Sequence, residues 1–238
     1  MEALTSECLR MTPELEQSMD TDRVLVLGMG ITGVSCARYL VRRGLSAMFA
    51  DTRAAPTGII DIRRAMPEAD IHTGSMPADI PAGVSRLVVS PGLPLETPLI
   101  QKAQQQGVEV LSDIDLFVEE CTQPLLAVTG SNGKSTVTSM LAAILDAAGR
   151  KVGAGGNLGP AALDLLELDA DVYLLELSSF QLERSRKLPA TAAVILNIAT
   201  DHLDQHVTAK RYAAAKARIY HACHTAVVNR DAPAAMAL

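Results

Sequence analysis

Twice in this chain an apolar, strand-like run breaks at glycines and passes at once into a helical pattern, and few folds accommodate that. Leu125 to Val128 reads as a short buried strand, followed by the turn Gly130-Ser131-Asn132-Gly133-Lys134-Ser135-Thr136. Val137, Met140, Leu141, Ile144, Leu145 and Ala148 then recur at helical spacing. Such a turn aims successive backbone N–H groups and the positive end of the helix dipole at one point, which suits phosphate. Lys134 is then placed for the β- and γ-phosphates, and the Ser135 or Thr136 hydroxyl for Mg²⁺. The usual G-x-x-x-x-G-K-[ST] pattern is incomplete, because Val128 holds its first glycine position. The bland alternative is a helix cap with a chance lysine; the strand–turn–helix setting favours ATP.

The second instance is Gly28-Met29-Gly30-Ile31-Thr32-Gly33, a G-x-G-x-x-G turn after strand Val24–Leu27 and before a helix over 33–44. Asp51 ends the next strand, where an acid meets a ribose in a dinucleotide fold. NAD is the obvious ligand, and another nucleotide held by its diphosphate is the competitor. The turn alone does not choose between them.

From Arg23 onward β-branched runs alternate with helical stretches, the signature of parallel sheets with crossover helices. Further strands are expected at Ala47–Ala50, Leu87–Val89, Val108–Val110, Tyr173–Glu176, Ala193–Asn197 and Thr225–Val228, with helices over 98–106 and 209–220. Residues 1–22 read as a loosely ordered extension. Residues 23–123 form one α/β unit, and 124–238 a second that begins near Pro124. The chain stops seven residues after Asp231, short of the strands a doubly wound second unit needs. A shortened form is therefore expected.

With 48% hydrophobic residues the 238-residue chain has material for a core, built without Trp and almost without Phe. A net charge of −6 argues against a broad nucleic-acid surface. Four scattered cysteines without C-x-x-C spacing suit a reducing, cytoplasmic setting, and no 18-residue apolar stretch suggests a membrane span.

Other candidates sit at the carboxyl ends of predicted strands, where ligands bind in open α/β sheets. Ser90-Pro91-Gly92 follows Leu87–Val89, although a plain Pro-Gly turn explains it equally well. Gly155-Gly156-Asn157-Leu158-Gly159 is a loop whose glycines permit close approach to a ligand or simply make a turn. Glu176 closes an apolar strand beside the phosphate turn, a position for an Mg²⁺ ligand or for a solvated carboxylate. Asn197, Asp201, His202 and Asp204 cluster after another strand, with His202 a ligand contact or an ordinary polar residue. Lys216 shares a helix face with Tyr212, Ala213, Ile219 and Tyr220. Burial there lowers its pKa and frees the amine for chemistry; the alternative is a snorkelling side chain.

Together these segments resemble the Mur ligase family, the ATP-dependent amide-bond ligases of peptidoglycan synthesis. The likeness runs from about Arg23 to the end, most specifically in 129–136, in Gly155-Gly156-Asn157 and in Glu176-Leu177-Ser178-Ser179-Phe180-Gln181-Leu182-Glu183. The last segment resembles the D-glutamate-adding members, and the family's shorter Gly-x-x-Gly-Lys loop accounts for Val128. The resemblance implies a Rossmann-like N-terminal domain followed by an incomplete P-loop ATPase-type α/β domain. It implies that Gly30, Ile31, Thr32, Asp51, Thr52, Arg53, Ser90, Pro91 and Gly92 hold a UDP-linked substrate rather than NAD. Gly130 to Thr136 would hold ATP; Asn157, Ser178 and His202 would meet substrate. Two Mg²⁺ would be held by Ser135, Glu176, His202 and Lys216, the last as a CO2-derived carbamate, so that Lys134, Glu176, His202 and Lys216 carry the catalysis. The implied reaction adds D-glutamate to UDP-N-acetylmuramoyl-L-alanine through an acyl phosphate, in a cytoplasmic monomer. A non-catalytic UDP-nucleotide-binding fragment is the alternative reading, and an NAD-dependent oxidoreductase a more distant one.

Overall fold

The structure, a computed structural model, describes residues 23–199 and 208–237. The extension 1–22 and the segment holding Asp201, His202 and Asp204 lie outside the described residues.

Among the described residues each half holds a five-stranded, wholly parallel sheet. The first contains β1 (Arg23–Leu27), β2 (Ala47–Asp51), β3 (Asp70–Thr73), β4 (Val84–Val89) and β5 (Glu109–Leu111), in the order β3-β2-β1-β4-β5. Helices α1 (Ile31–Arg42), α2 (Ile59–Ala65), α3 (Pro98–Gln105) and α4 (Asp113–Glu120) connect or flank these strands. Strand order reverses between β1 and β4, so a crevice opens there at the carboxyl edge. Alternation along β1 divides its residues between two cores. Val24 and Val26 face one with Phe49, Leu40 and Ile62, while Leu25 and Leu27 face the other with Leu87, Val89 and Ile100.

The second sheet has the order β10-β9-β6-β8-β7, from β6 (Leu125–Thr129), β7 (Val152–Gly156), β8 (Val172–Glu176), β9 (Ala192–Ile195) and β10 (Thr225–Val228). Its helices are α5 (Lys134–Ala147), α6 (Ala162–Leu165), α7 (Ser179–Arg184), α8 (Ala209–Ala217) and α9 (Pro233–Met236), with a 3-10 turn at Arg218–Tyr220. The last turn replaces the end of the helix expected over 209–220. β6 lies centrally, so the turn after it is flanked by the ends of β8 and β9.

Two strands were not anticipated. β3 contains one apolar residue and lies at an edge, so no alternation marks it. β7 is Val-Gly-Ala-Gly-Gly, which reads as turn. It is a strand because it pairs in parallel with β8, and its neighbours there leave room only for glycine: a Cβ on Gly153 would stand 2.6 Å from the Tyr173 ring, and one on Gly155 2.4 Å from Pro160 O. Gly155 and Gly156 thus belong to a strand end rather than a loop.

The halves pack on one another. Phe117 meets Tyr173 edge to face at 5.2 Å, and Arg38 makes a forked pair with Asp164 at 3.0 and 2.6 Å. Arg42 joins Glu167 and Leu163 O. Buried Asp115 caps α4 through Ser112 and also accepts from Arg186 N at 2.7 Å. Among the described residues no helix is long and apolar enough to cross a membrane.

Candidate functional site

The first glycine turn closes against β4. Gly28 has φ +97°, and a Cβ there would meet Ser90 Oγ at 2.6 Å, while Ser90 Oγ donates to Gly28 O at 3.3 Å. Ile31, Thr32 and Gly33 open α1 with no side-chain cap, which leaves first-turn N–H groups facing the crevice. The crevice is about 510 Å³, and its walls include all nine residues expected there, Gly30, Ile31, Thr32, Asp51, Thr52, Arg53, Ser90, Pro91 and Gly92.

Within it Asp51 does something other than the work expected of a ribose-binding acid. Its Oδ2 accepts from Met29 N (2.8 Å) and Arg53 Nη2 (2.6 Å), and its Oδ1 from Arg53 N and Nε, both at 2.9 Å. The Arg53 side chain, then the two backbone donors, hold its carboxyl down at about 2 against the cost of burial. Asp51 therefore fixes the glycine turn and orients Arg53, whose guanidinium stays half exposed. All four of these bonds come from the chain itself, so both carboxylate oxygens are paired in this structure.

A second cleft, about 540 Å³, shares Pro91, Gly92 and Leu93 with the first and is walled opposite by Phe180, Glu183, Arg184 and Arg211. Arg211 bridges Glu183 and Glu96 at 2.9 and 3.2 Å. Arg184 donates to Phe180 O, and its buried Nε has no partner. Neither arginine stood out in the sequence, since a charged residue on a short helix reads as surface.

The second glycine turn is pinned from several sides. Gly133 is left-handed at φ +78°. Ser131 Oγ accepts from Ala199 N at 2.8 Å and lies 3.0 Å from Tyr212 OH. Ser131 N and Asn132 N donate to Asn197 O (3.0 Å) and Oδ1 (2.9 Å). Val137 N is bonded to Gly133 O at 3.0 Å, so Lys134, Ser135 and Thr136 supply the outward N–H groups of the first helical turn. The Ser135 and Thr136 side chains are exposed, beside that turn.

Two lysines share one acceptor here. Lys134 Nζ donates to Gly130 O (3.0 Å) and Ser131 O (3.1 Å), and Lys216 Nζ donates to the same Gly130 O (3.0 Å) and to Thr129 Oγ1 (3.1 Å). Lys216 is fully buried, 2% exposed, with its Nζ 4.9 Å from the centre of the Tyr212 ring. Burial first, then the Lys134 charge, bring its pKa down to about 7 against the pull of Glu176. The snorkelling alternative is thereby excluded.

Glu176 ends β8 and is 1% exposed. Its Oε1 accepts from Asn157 Nδ2 at 2.8 Å, while buried Oε2 has no partner. Gly156 allows this pairing: its φ is +104°, and a Cβ would stand 2.5 Å from Glu176 O. Among the described residues no three His, Cys, Asp or Glu side chains form a metal cage. One orphaned carboxylate oxygen beside a phosphate turn nevertheless fits Mg²⁺, which binds through one or two carboxylates, substrate phosphates and water. Ser178 is occupied locally: it caps α7 in a capping box with Gln181, a pairing already written in its Ser-x-x-Gln spacing. The described cysteines, Cys36, Cys121 and Cys223, are free thiols.

Tandem parallel sheets, each with a glycine turn and an open helix N-terminus at its carboxyl edge, define a two-part α/β protein suited to phosphate-bearing ligands. The comparisons with known proteins narrow this class. Residues 22–112 match the Mur ligase MurD-like N-terminal domain and residues 128–238 the Mur ligase middle domain. The chain belongs to the Mur ligase family. It is 45% identical over 209 residues to the UDP-N-acetylmuramoylalanine–D-glutamate ligase of Marinobacter nauticus, covering 88% of this chain and 47% of that protein. The enzyme of the same name from Nitrosococcus oceani is 47% identical over 208 residues, covering 87% and 46%. The chain thus spans about half the length of the curated relatives it matches. Its fold is that of the UDP-N-acetylmuramate:L-alanyl-gamma-D-glutamyl-meso-diaminopimelate ligase of Neisseria meningitides, with a TM-score of 0.61 at 16% identity over 91% of this chain and 74% of that one.

Proposed function

We propose that this chain carries the UDP-substrate and ATP sites of a D-glutamate-adding ligase, with residues 23–123 holding UDP-N-acetylmuramoyl-L-alanine and residues 124–238 holding ATP. The observation that carries the reading is the meeting of Lys134 and Lys216 on the Gly130 carbonyl, next to a buried Glu176 with an unused oxygen. Phosphate transfer to a carboxylate brings two anions together, and this corner offers donors and a cation ligand at one place.

In this reading the N–H groups of Lys134, Ser135 and Thr136 hold the polyphosphate, and Lys134 leaves its loop carbonyls to pair with it. The γ-phosphoryl group passes to the L-alanyl carboxylate, giving an acyl phosphate and ADP. The D-glutamate amine then attacks the acyl carbon, phosphate departs, and the amide remains. Bound Mg²⁺ supplies charge neutralisation between carboxylate and γ-phosphate. Glu176 Oε2 and the Ser135 hydroxyl would hold it, with His202 read as another ligand. Lys216, its pKa lowered to about 7 by burial, would add CO2 by forming an N–C bond and releasing a proton, and the resulting carbamate would serve as a further anionic ligand. The protein otherwise contributes placement and pre-aimed donors. Nucleotide ligands of the cytoplasm and a monomeric chain complete the reading.

Calorimetric titration tests it. The chain is expected to bind UDP-N-acetylmuramoyl-L-alanine and, separately, ATP with Mg²⁺, and to ignore NAD. Binding of NAD without the UDP compound overturns the reading. Binding of both ligands without D-glutamate ligation leaves the chain a nucleotide-binding fragment of such an enzyme.

A further inference from the structure

Asn197 stands just past β9, two residues beyond Ile195, and turns its backbone carbonyl and its carboxamide on the phosphate turn. Its backbone O accepts from Ser131 N at 3.0 Å. Its Oδ1 accepts from Asn132 N at 2.9 Å, and its Nδ2 donates to Asn132 O at 3.0 Å. A side-chain amide matched to both groups of one peptide residue fixes that residue's rotation, because a tilt lengthens one bond as it shortens the other. Leu196 N, bonded to Thr129 O at 2.9 Å, and Ala199 N, bonded to Ser131 Oγ at 2.8 Å, hold the same two segments together on either side. Leu196 O is in turn held by Asn229 Nδ2 at 2.8 Å.

Resting on the function proposed above, we infer that Asn197 is the positioning residue of the phosphate turn: its carboxamide clamps Asn132 so that Gly133 can enter its left-handed conformation and aim the N–H groups of Lys134, Ser135 and Thr136 at one phosphate. Asn197 touches no substrate in this scheme. With the Ser131 and Asn132 N–H groups spent on Asn197 O and Oδ1, the backbone donors left for phosphate are those of the helix end, beside the Lys134 amine. Without the carboxamide the turn keeps its sequence and its lysine but loses its aim.

The test compares Asn197→Ala and Asn197→Asp in the full chain, read by residue-resolved amide exchange and by titration with ATP and Mg²⁺ beside UDP-N-acetylmuramoyl-L-alanine. Asn197→Ala is expected to speed exchange at Asn132 N–H at least tenfold and to weaken ATP binding at least tenfold. Ser131 N–H, bonded to backbone, and the β9 amides should stay protected, and the UDP compound should bind as before. Asn197→Asp keeps an acceptor for Asn132 N–H but sets its second oxygen against Asn132 O, so protection at Asn132 should fall between that of the unaltered chain and that of the alanine variant. Unchanged exchange at Asn132 in the alanine variant overturns the inference, as does exchange that rises together at Asn132, Ser131 and β9. If the unaltered chain ignores ATP, the proposed function fails, and the exchange pattern still decides whether Asn197 clamps the turn.

Discussion

Replacing Lys216 by methionine should stabilise the fold at neutral pH while removing the amine that the proposed chemistry needs. The unfolded chain holds this lysine charged, with the ordinary pKa of 10.5, whereas the folded amine titrates at about 7. At ~1.4 kcal/mol per pKa unit, that gap amounts to a full charging cost of about 5 kcal/mol, of which about 4 kcal/mol is felt at pH 7, where the folded amine is already titrating. Set against it are the bonds to Thr129 Oγ1 and Gly130 O, of about 1 kcal/mol each. Both acceptor groups keep other partners when the amine is gone: Thr129 Oγ1 donates to Leu177 O at 2.6 Å, and Gly130 O still accepts from Lys134. Methionine fills similar volume in the same slot, so a net gain of about 2 kcal/mol is expected for Lys216→Met.

The sign of the pH dependence follows from proton counting. Between pH 7 and 10.5 the folded state binds fewer protons at this position than the unfolded state, so the unaltered protein gains stability as pH rises through that window. The penalty is fully present below pH 7 and gone above 10.5. Urea unfolding of both proteins in CO2-free buffer, at intervals from pH 7 to pH 10, reads the difference between them. The methionine variant should unfold at higher urea at pH 7, and its advantage should shrink steadily toward pH 10. A less stable variant at pH 7, or an advantage independent of pH, refutes the reasoning.

Three other substitutions probe the scaffold. Asp51→Asn should cost about 2 kcal/mol at pH 7, because the native carboxyl is held at about 2. That contribution is present above the ordinary carboxylate pKa and lost as pH falls through about 2, so the two proteins' melting temperatures should converge on acidification. Gly33→Ala places a Cβ 2.2 Å from Gly28 O, a backbone clash that should cost about 3 kcal/mol or more in urea unfolding and abolish binding in the first crevice. Asp115→Ala removes the α4 capping box and strands Arg186 N; thermal unfolding should report a loss of about 2–4 kcal/mol.

What could be read in advance was decided by local pattern. The strands buried on both faces, β1, β6 and β8, are continuous apolar runs, and the turns after β1 and β6 show their glycines openly. β3 and β7 escaped because one is a polar edge and the other owes its conformation to Tyr173 and Pro160, which no local rule connects to it. Ser178 was expected only as a substrate contact; its Ser-x-x-Gln spacing to Gln181 carries a capping box that went unread, and the cap accounts for the bonds its hydroxyl makes in the structure.

The residues hardest to read were polar side chains at strand ends. Position alone placed Asp51, Glu176 and Asn197 at carboxyl edges, and all three are there. Position cannot say whether such a side chain faces a ligand or the chain's own backbone, because its partners come from elsewhere: Met29 is 22 residues from Asp51, and Asn132 is 65 from Asn197. The hydrogen-bond inventory separates the cases. Asp51 and Asn197 have their side-chain polar atoms committed inward, so their work is to shape the two glycine turns. Glu176 keeps one buried oxygen without a partner, a costly condition in a folded protein unless a ligand completes it. The same strand-end position therefore has two states in this chain, and Glu176 is set apart by its uncommitted lone pair.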